Sequence, residues 1–136
     1  MTLIDQLIRD EGVRLHPYTD SVGKLTIGIG RNLTDVGISQ SEAEMLLAND
    51  VANASKRLDE AFPWTSGLDD VRRGALLNMT FNMGVGGLAQ FKKFLQAMQA
   101  GDWNLAHNEM LDSLWAKQVG VRAERLAVQI QVGAWQ

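Results

Sequence analysis

The 136-residue chain has no cysteine, two prolines, one tyrosine and two histidines. Without thiols, disulfides and thiolate chemistry are excluded, and the fold must rest on packing that can form in a reducing compartment. His16 and His107 stand apart with no ligand spacing around them, so neither a metal site nor a cofactor is expected. No stretch approaches the roughly 20 apolar residues of a membrane span. The first residues also lack a basic region followed by a sustained apolar run, so neither membrane insertion nor an export signal is expected. Positive charge is not in excess: 13 Lys and Arg against 16 Asp and Glu give a net charge of -3, which argues against broad nucleic-acid binding. Gly28-Ile29-Gly30 lacks the third glycine and the following helix of a dinucleotide fingerprint, and no serine lies in a nucleophile motif.

What the chain does have is 46% apolar content and no linker, low-complexity tract or repeat, which fits one domain burying about two-thirds of its unfolded surface. The expected class is α+β and predominantly helical, with one domain over 1–136. Residues 3–11 read as an amphipathic helix through Leu3, Ile4, Leu7 and Ile8. A small lobe over about 13–38 carries a β-hairpin or a short three-stranded sheet. Ser39-Gln40-Ser41-Glu42 fits a capping box opening a linking helix over about 39–60, with Ala43, Leu47, Val51, Ala54 and Leu58 as its stripe. A helical lobe over about 62–136, joined by the N-terminal helix, completes the chain. Asp69 caps a helix over about 70–83 that Gly84, Gly86 and Gly87 interrupt, and further helices are expected near 91–99, 103–111 and 120–132. Trp103, Trp115 and Trp135 read as core residues, and the six methionines as gap fillers.

Chemistry concentrates in the twenty residues from Glu11 to Gly30. Asp10 and Glu11 fall in the last turn of the first helix, ahead of Gly12 at the C-cap position, where the helix dipole disfavours anions by roughly 0.3 to 1 kcal/mol each. That field favours the protonated form of an acid, which a proton donor needs. A solvated helix end or a salt-bridged pair would also account for them. Asp20-Ser21-Val22-Gly23 has the residue types of a hairpin turn. Along 24–29, Leu25, Ile27 and Ile29 alternate with Thr26 and Gly28, giving one apolar face and one bare face with a single hydroxyl, as strand geometry requires. Glycines within a strand often mark close approach by a ligand, and a flat sugar ring is one of suitable shape. Asp20 is equally an ordinary turn residue, and the glycines equally suit a tight ribbon.

The run Glu11, Tyr18, Asp20, Thr26, Gly28 and Gly30 resembles the catalytic signature of the phage-type lysozymes, the endolysin muramidases of tailed bacteriophages. The likeness continues through Leu68-Asp69-Asp70-Val71-Arg72-Arg73, Phe81-Asn82-Met83-Gly84, and Trp115 with Arg122 and Arg125. It implies hydrolysis of the β-1,4 bond between N-acetylmuramic acid and N-acetylglucosamine in bacterial peptidoglycan. Residue by residue, it implies Glu11 as general acid, Asp20 as second carboxylate and Thr26 as the hydroxyl helping to hold water. Gly28, Gly30, Asn32, Phe81 and Asn82 would face substrate, and Arg122 would position the acid. For an endolysin made in the host cytoplasm it further implies a separate holin through which the wall in the periplasm is reached. The sequence gives no sign of an obligate oligomer, so a monomer is expected. A lytic transglycosylase on the same bond, or a non-catalytic wall-binding protein of lysozyme fold, are the alternatives.

Two departures stand out. Members of the family often carry histidine after the second glycine, whereas this chain has Arg31, whose expected partner is Asp69 or Asp70. The segment from Leu33 to Ser39 is short, which puts a third strand in question. Charge is uneven: residues 1–68 hold ten acids and six bases, residues 69–136 six and seven, so attraction to an anionic wall is expected mainly from the C-terminal part.

Overall fold

The computed structural model describes residues 1–136. The chain forms two compact units, Met1–Leu46 and Leu47–Gln136, and the division falls inside one helix.

In the first unit, α1 (Leu3–Glu11) begins at a capping box absent from the sequence expectation. The Asp5 amide donates to Thr2 Oγ1 at 3.2 Å while Asp5 Oδ2 accepts from the Thr2 amide at 2.8 Å, satisfying two groups that a helix start leaves unpaired. It ends at Gly12, whose φ of 74° only glycine adopts without strain, with the Gly12 amide returning to Ile8 O at 2.9 Å. Strands β1 (Arg14–Thr19), β2 (Leu25–Gly28) and β3 (Arg31–Asn32) form an antiparallel sheet in that order. The third strand is therefore present, though two residues long. The β1–β2 register slips between Arg14 and Tyr18, where Pro17 has no N–H to give the ladder.

The apolar alternation stops earlier than expected. β2 ends at Gly28, and Ile29 and Gly30 make the turn into β3. Burial also runs opposite to expectation: Thr26 is 4% exposed, while Leu25 on β2 and Ile29 in the turn are each 45% exposed. Thr26 lies in the central strand with Tyr18 and Asn32 as its cross-strand partners, so neighbouring side chains cover it from both sides.

Helix α2 (Gln40–Ala61) crosses the division and opens as expected: the Glu42 amide donates to Ser39 Oγ at 3.1 Å and the Ser39 amide to Glu42 Oε1 at 2.9 Å. In the second unit follow a 3-10 turn (Pro63–Gly67), α3 (Asp70–Leu88), α4 (Lys92–Ala100), α5 (Trp103–Leu111), α6 (Leu114–Val119) and α7 (Val121–Val132). The 3-10 turn and α6 were not legible; both are short and capped by side chain or proline rather than marked by a long stripe. Asp69 caps α3 as expected, accepting from the Arg72 amide at 3.0 Å. Gly84, at φ 74° and ψ 167°, breaks α3, but the chain re-enters helix and runs on to Leu88.

The core of this unit gathers Leu58 from α2, Leu76 and Met79 from α3, Phe94 and Met98 from α4, Met110 from α5, Trp115 from α6, and Leu126 and Ile130 from α7. Three methionines thus fill fully buried gaps, as expected of an unbranched thioether, whereas Met1 and Met45 are exposed and depart from the expectation. Trp135 departs from the core expectation, being 66% exposed. Its ring lies directly over Gly74, where a Cβ would come within 2.4 Å of the indole. Arg73 clamps α3 to α2, its Nη1 and Nη2 reaching Asp59 Oδ1 and Oδ2 at 2.9 and 3.2 Å and Nη2 also Ser55 Oγ at 2.6 Å. This fork matches the planar guanidinium to a carboxylate and leaves little freedom to either helix.

Candidate active site

Of the two acids ending α1, only one is neutralised locally. Asp10 Oδ1 receives Arg9 Nε at 2.8 Å, the salt-bridged outcome. No group in Met1–Leu46 hydrogen-bonds the Glu11 carboxyl, which instead lies against the backbone of Gly30. A Cβ built on Gly30 would stand 2.9 Å from Glu11 Oε2 and 3.0 Å from its Cδ. Gly30 therefore clears space for the acid itself. Gly28, at φ 72°, would meet nothing within 4 Å, so its glycine is explained by backbone conformation alone.

Asp20 and Thr26 are fixed through one residue between them. Asp20 Oδ1 accepts the amides of Val22 at 3.0 Å and Lys24 at 2.8 Å, which is the turn role common for Asp. Within Met1–Leu46 its other oxygen has no donor. Lys24 O in turn accepts the Asp20 amide at 2.9 Å and the Thr26 hydroxyl at 3.0 Å. The Thr26 hydroxyl has spent its proton on a carbonyl and keeps acceptor capacity, the form suited to holding a water by one of its hydrogens. Asn32, opposite Thr26 on β3, closes on its own loop, donating to Asp35 Oδ2 at 3.1 Å and accepting the Asp35 amide at 2.9 Å. The structure thus brings together Glu11 with Gly30, Asp20 with Thr26 through Lys24, and Tyr18, Thr26 and Asn32 in one cross-strand row. The Lys24 anchor was not singled out from sequence, because it acts through backbone atoms that any residue possesses.

Arg31 corrects the sequence expectation. Its Nη1 donates to Glu42 Oε1 at 2.7 Å and to Gly37 O at 3.2 Å, so its partner is Glu42 rather than Asp69 or Asp70. Asp69 is engaged at the start of α3, with Arg72 Nη1 at 3.3 Å. The short Leu33–Ser39 segment returns the chain so that the first turn of α2 faces β3. The donated hydrogen bond from Arg31, with those from the Ser39 amide and hydroxyl, holds the Glu42 carboxyl down at about 2, from an ordinary 4.5. The capping-box glutamate was the available signal.

In the other unit, Phe81 is half exposed. Asn82 Oδ1 accepts the indole N–H of Trp115 at 2.9 Å, which satisfies a donor that a buried tryptophan cannot leave unpaired and leaves the Asn82 NH2 outward. Arg122 is held by Asn78, Nε to Oδ1 at 2.9 Å and Nη2 to the carbonyl at 3.3 Å.

A model of the phage lysozyme family matches residues 9–129, which takes in every site residue described above. The chain belongs to the phage lysozyme family. It is 34% identical to the pre-baseplate central spike protein of Enterobacteria phage T4, over 98% of this chain and 28% of that protein. It is 31% identical to probable T4-type lysozyme 1 of Dictyostelium discoideum, over 95% of this chain and 93% of that one. A SAR-endolysin of bacteriophage PS119 is 32% identical over 68% of this chain and 56% of its own length. The chain therefore spans less than a third of the spike protein but nearly all of the Dictyostelium lysozyme. The alignments with the first two run over 161 and 159 positions, more than the 136 residues present, so these phage lysozyme relatives carry stretches that this chain lacks. No helix is long and apolar enough to cross a membrane.

Proposed function

We propose that this phage lysozyme family member is a glycoside hydrolase that cuts the β-1,4 bond between N-acetylmuramic acid and N-acetylglucosamine. The observation that carries the reading is the Glu11 carboxyl, unpaired within its unit and seated on Gly30, the turn residue that joins the strand bearing Thr26 to β3. Glu11 gives its proton to the departing glycosidic oxygen. Asp20, through its unoccupied oxygen, and Thr26, through its remaining acceptor capacity, hold and activate a water, which attacks the anomeric carbon. Direct attack with inversion is the proposed course, and proton NMR showing the β-anomer as first product would exclude it. Roles for Phe81, Asn82 and Arg122 in holding substrate and acid are proposed on the family likeness. So is release to the wall through a separate holin.

The competing reading is structural, because a relative at 34% identity is named a spike protein. Turbidity loss on peptidoglycan by wild type, Glu11→Gln and Asp20→Asn, with mass spectrometry of the products, separates these readings. Hydrolytic products from wild type and near-complete loss in both variants are expected. Lysis by Glu11→Gln at the wild-type rate would sink the assignment, and anhydro products with Asp20→Asn still active would mark a transglycosylase.

A further inference from the structure

The carboxylate and the hydroxyl proposed to hold the water both hang on the backbone of Lys24. Its amide is one of the two donors to Asp20 Oδ1, at 2.8 Å, and its carbonyl accepts the Asp20 amide at 2.9 Å and the Thr26 hydroxyl at 3.0 Å. Three of the hydrogen bonds that set Asp20 against Thr26 therefore move with one residue. That residue has a side-chain tether of its own. Lys24 Nζ stands 3.2 and 3.1 Å from the two carboxylate oxygens of Asp35, beyond β3. Asp35 is in turn closed onto Asn32, its Oδ2 accepting Asn32 Nδ2 at 3.1 Å and its amide donating to Asn32 Oδ1 at 2.9 Å. Asn32 is the cross-strand partner of Thr26, so Asp20, Lys24, Asp35, Asn32 and Thr26 complete a circuit within Met1–Leu46.

The shortness of β3 explains why a tether is needed. Its two residues pair with Thr26 and Ile27, and one further backbone bond, from the Leu33 amide to Leu25 O at 2.7 Å, carries the pairing as far as Leu25. From there towards the turn the fastening passes to side chains: Thr34 Oγ1 accepts the Leu25 amide at 2.9 Å, and Asp35 takes the Lys24 ammonium. The side chains of the pair are 39% and 52% exposed, so it adds little to global stability and is weakened by salt. It still decides where Lys24 rests. We propose that Lys24 is a positioning residue, a role that rests on the activity proposed above: its ammonium, held on Asp35, fixes the backbone from which Asp20 and Thr26 hold the attacking water. The charge matters as well as the length. Asp35 Oδ2 already accepts from Asn32, so a neutral side chain at position 24 would leave Oδ1 without a donor in this unit.

The test uses the full chain on soluble, peptide-stripped glycan. A displacement of about 1 Å costs on the order of a hundredfold in rate, so a turn released by a few tenths of an ångström in Lys24→Met should lower kcat about fivefold. KM and melting temperature should stay close to wild type. Lys24→Arg should recover most of the loss, because a guanidinium also takes both oxygens of a carboxylate. Asp35→Asn should match Lys24→Met, and the double variant should lose no more than either alone. Raising salt should bring the wild-type kcat down towards that of Lys24→Met and leave the variant unchanged. A wild-type kcat in Lys24→Met, independent losses in the double variant, or a loss that arginine does not recover would overturn the proposal. Hydrogen exchange of the amides at positions 22 and 24, both held by Asp20 Oδ1, gives a readout that needs no turnover. It should quicken in Lys24→Met while exchange in α3 and α7 stays the same. If wild type cuts no glycan, the activity reading fails, whereas unaltered exchange at those two amides would sink the tether itself.

Discussion

Gly28 and Gly30 allow a matched experiment on what positions the acid. Both sit in the left-handed region, at φ 72° and 71°, so alanine at either carries a backbone cost of about 1 to 2 kcal/mol, reduced somewhat by the smaller entropy of the unfolded chain. For a chain of this length that lowers Tm by roughly 3 to 6 °C, and equally for both variants. The side-chain consequences differ. A methyl at position 28 enters open space, whereas one at position 30 stands 2.9 Å from Glu11 Oε2, against an ordinary contact of 3.4 Å or more. The carboxyl must retreat by roughly half an ångström. Since displacement of a reacting group by about 1 Å costs on the order of a hundredfold in rate, Gly30→Ala should lower kcat about tenfold while Gly28→Ala stays within about twofold. Initial rates on a soluble glycan, measured well below both melting temperatures, separate the chemical effect from the common loss of stability. Equal kcat in the two variants would refute the positioning argument. A matched rise in KM in both would instead return the glycines to a role in clearing the sugar.

Two further outcomes follow from the ion pairs. Glu42 has a folded value depressed to about 2, so its contribution is fully present above pH 4.5 and is lost as pH falls from there towards 2. Melting temperature against pH should therefore fall over that window in wild type and flatten in Glu42→Gln; an identical profile in both would remove the idea. In Arg31→His the sign reverses: an imidazolium beside Glu42 has its value raised above the ordinary 6.5 or so, so its stabilisation is complete below that and lost as pH rises through the raised value. Wild type, with a permanently charged guanidinium, should show no Arg31-dependent transition there, and an unchanged profile in the variant would count against the pair. At the α2–α3 clamp, Arg73→Ala should cost about 1 to 2 kcal/mol, discounted for the 42% exposure of Asp59, and Arg73→Lys about half of that. A double-mutant cycle with Asp59→Asn that shows no coupling would mean the fork is incidental.

Elements with a long period or an explicit stop were legible in the sequence. The Ser39–Glu42 box and the Asp69 cap both fall where side-chain chemistry requires them. Apart from the Thr2–Asp5 box and the Ser113 cap of α6, what escaped had no side-chain signature of its own. The reach of β2 was overestimated because Ile29 continues the alternation in type, while the positive φ of Gly28 ends the strand. Thr26 was read as facing a ligand, yet its burial follows from which strand is central, a property of three segments together. The Arg31 partner was misassigned because the sequence distance to Glu42 is bridged only by the short Leu33–Ser39 return. Trp135 shows the limit of composition: its exposure follows from where the chain leaves α7, and only the bare Gly74 beneath the ring records that it lies there.

The two acids that local preference could not explain are now distinguishable by their surroundings. Asp10 is answered by its own neighbour Arg9, so the helix-end cost is offset and no function need be invoked for it. Glu11 keeps the cost, and the chain adds a second one by placing a left-handed glycine where its carboxyl must rest. Neither expense improves stability, so together they select for the position of the carboxyl rather than for the helix. Asp20 differs again, since one of its oxygens has an ordinary turn role that would fix it with or without catalysis. The turn and the proposed chemistry therefore use opposite oxygens of the same side chain. A carboxylate immobilised through Oδ1 presents Oδ2 with little freedom left to lose, which is the condition under which a water held there is already oriented.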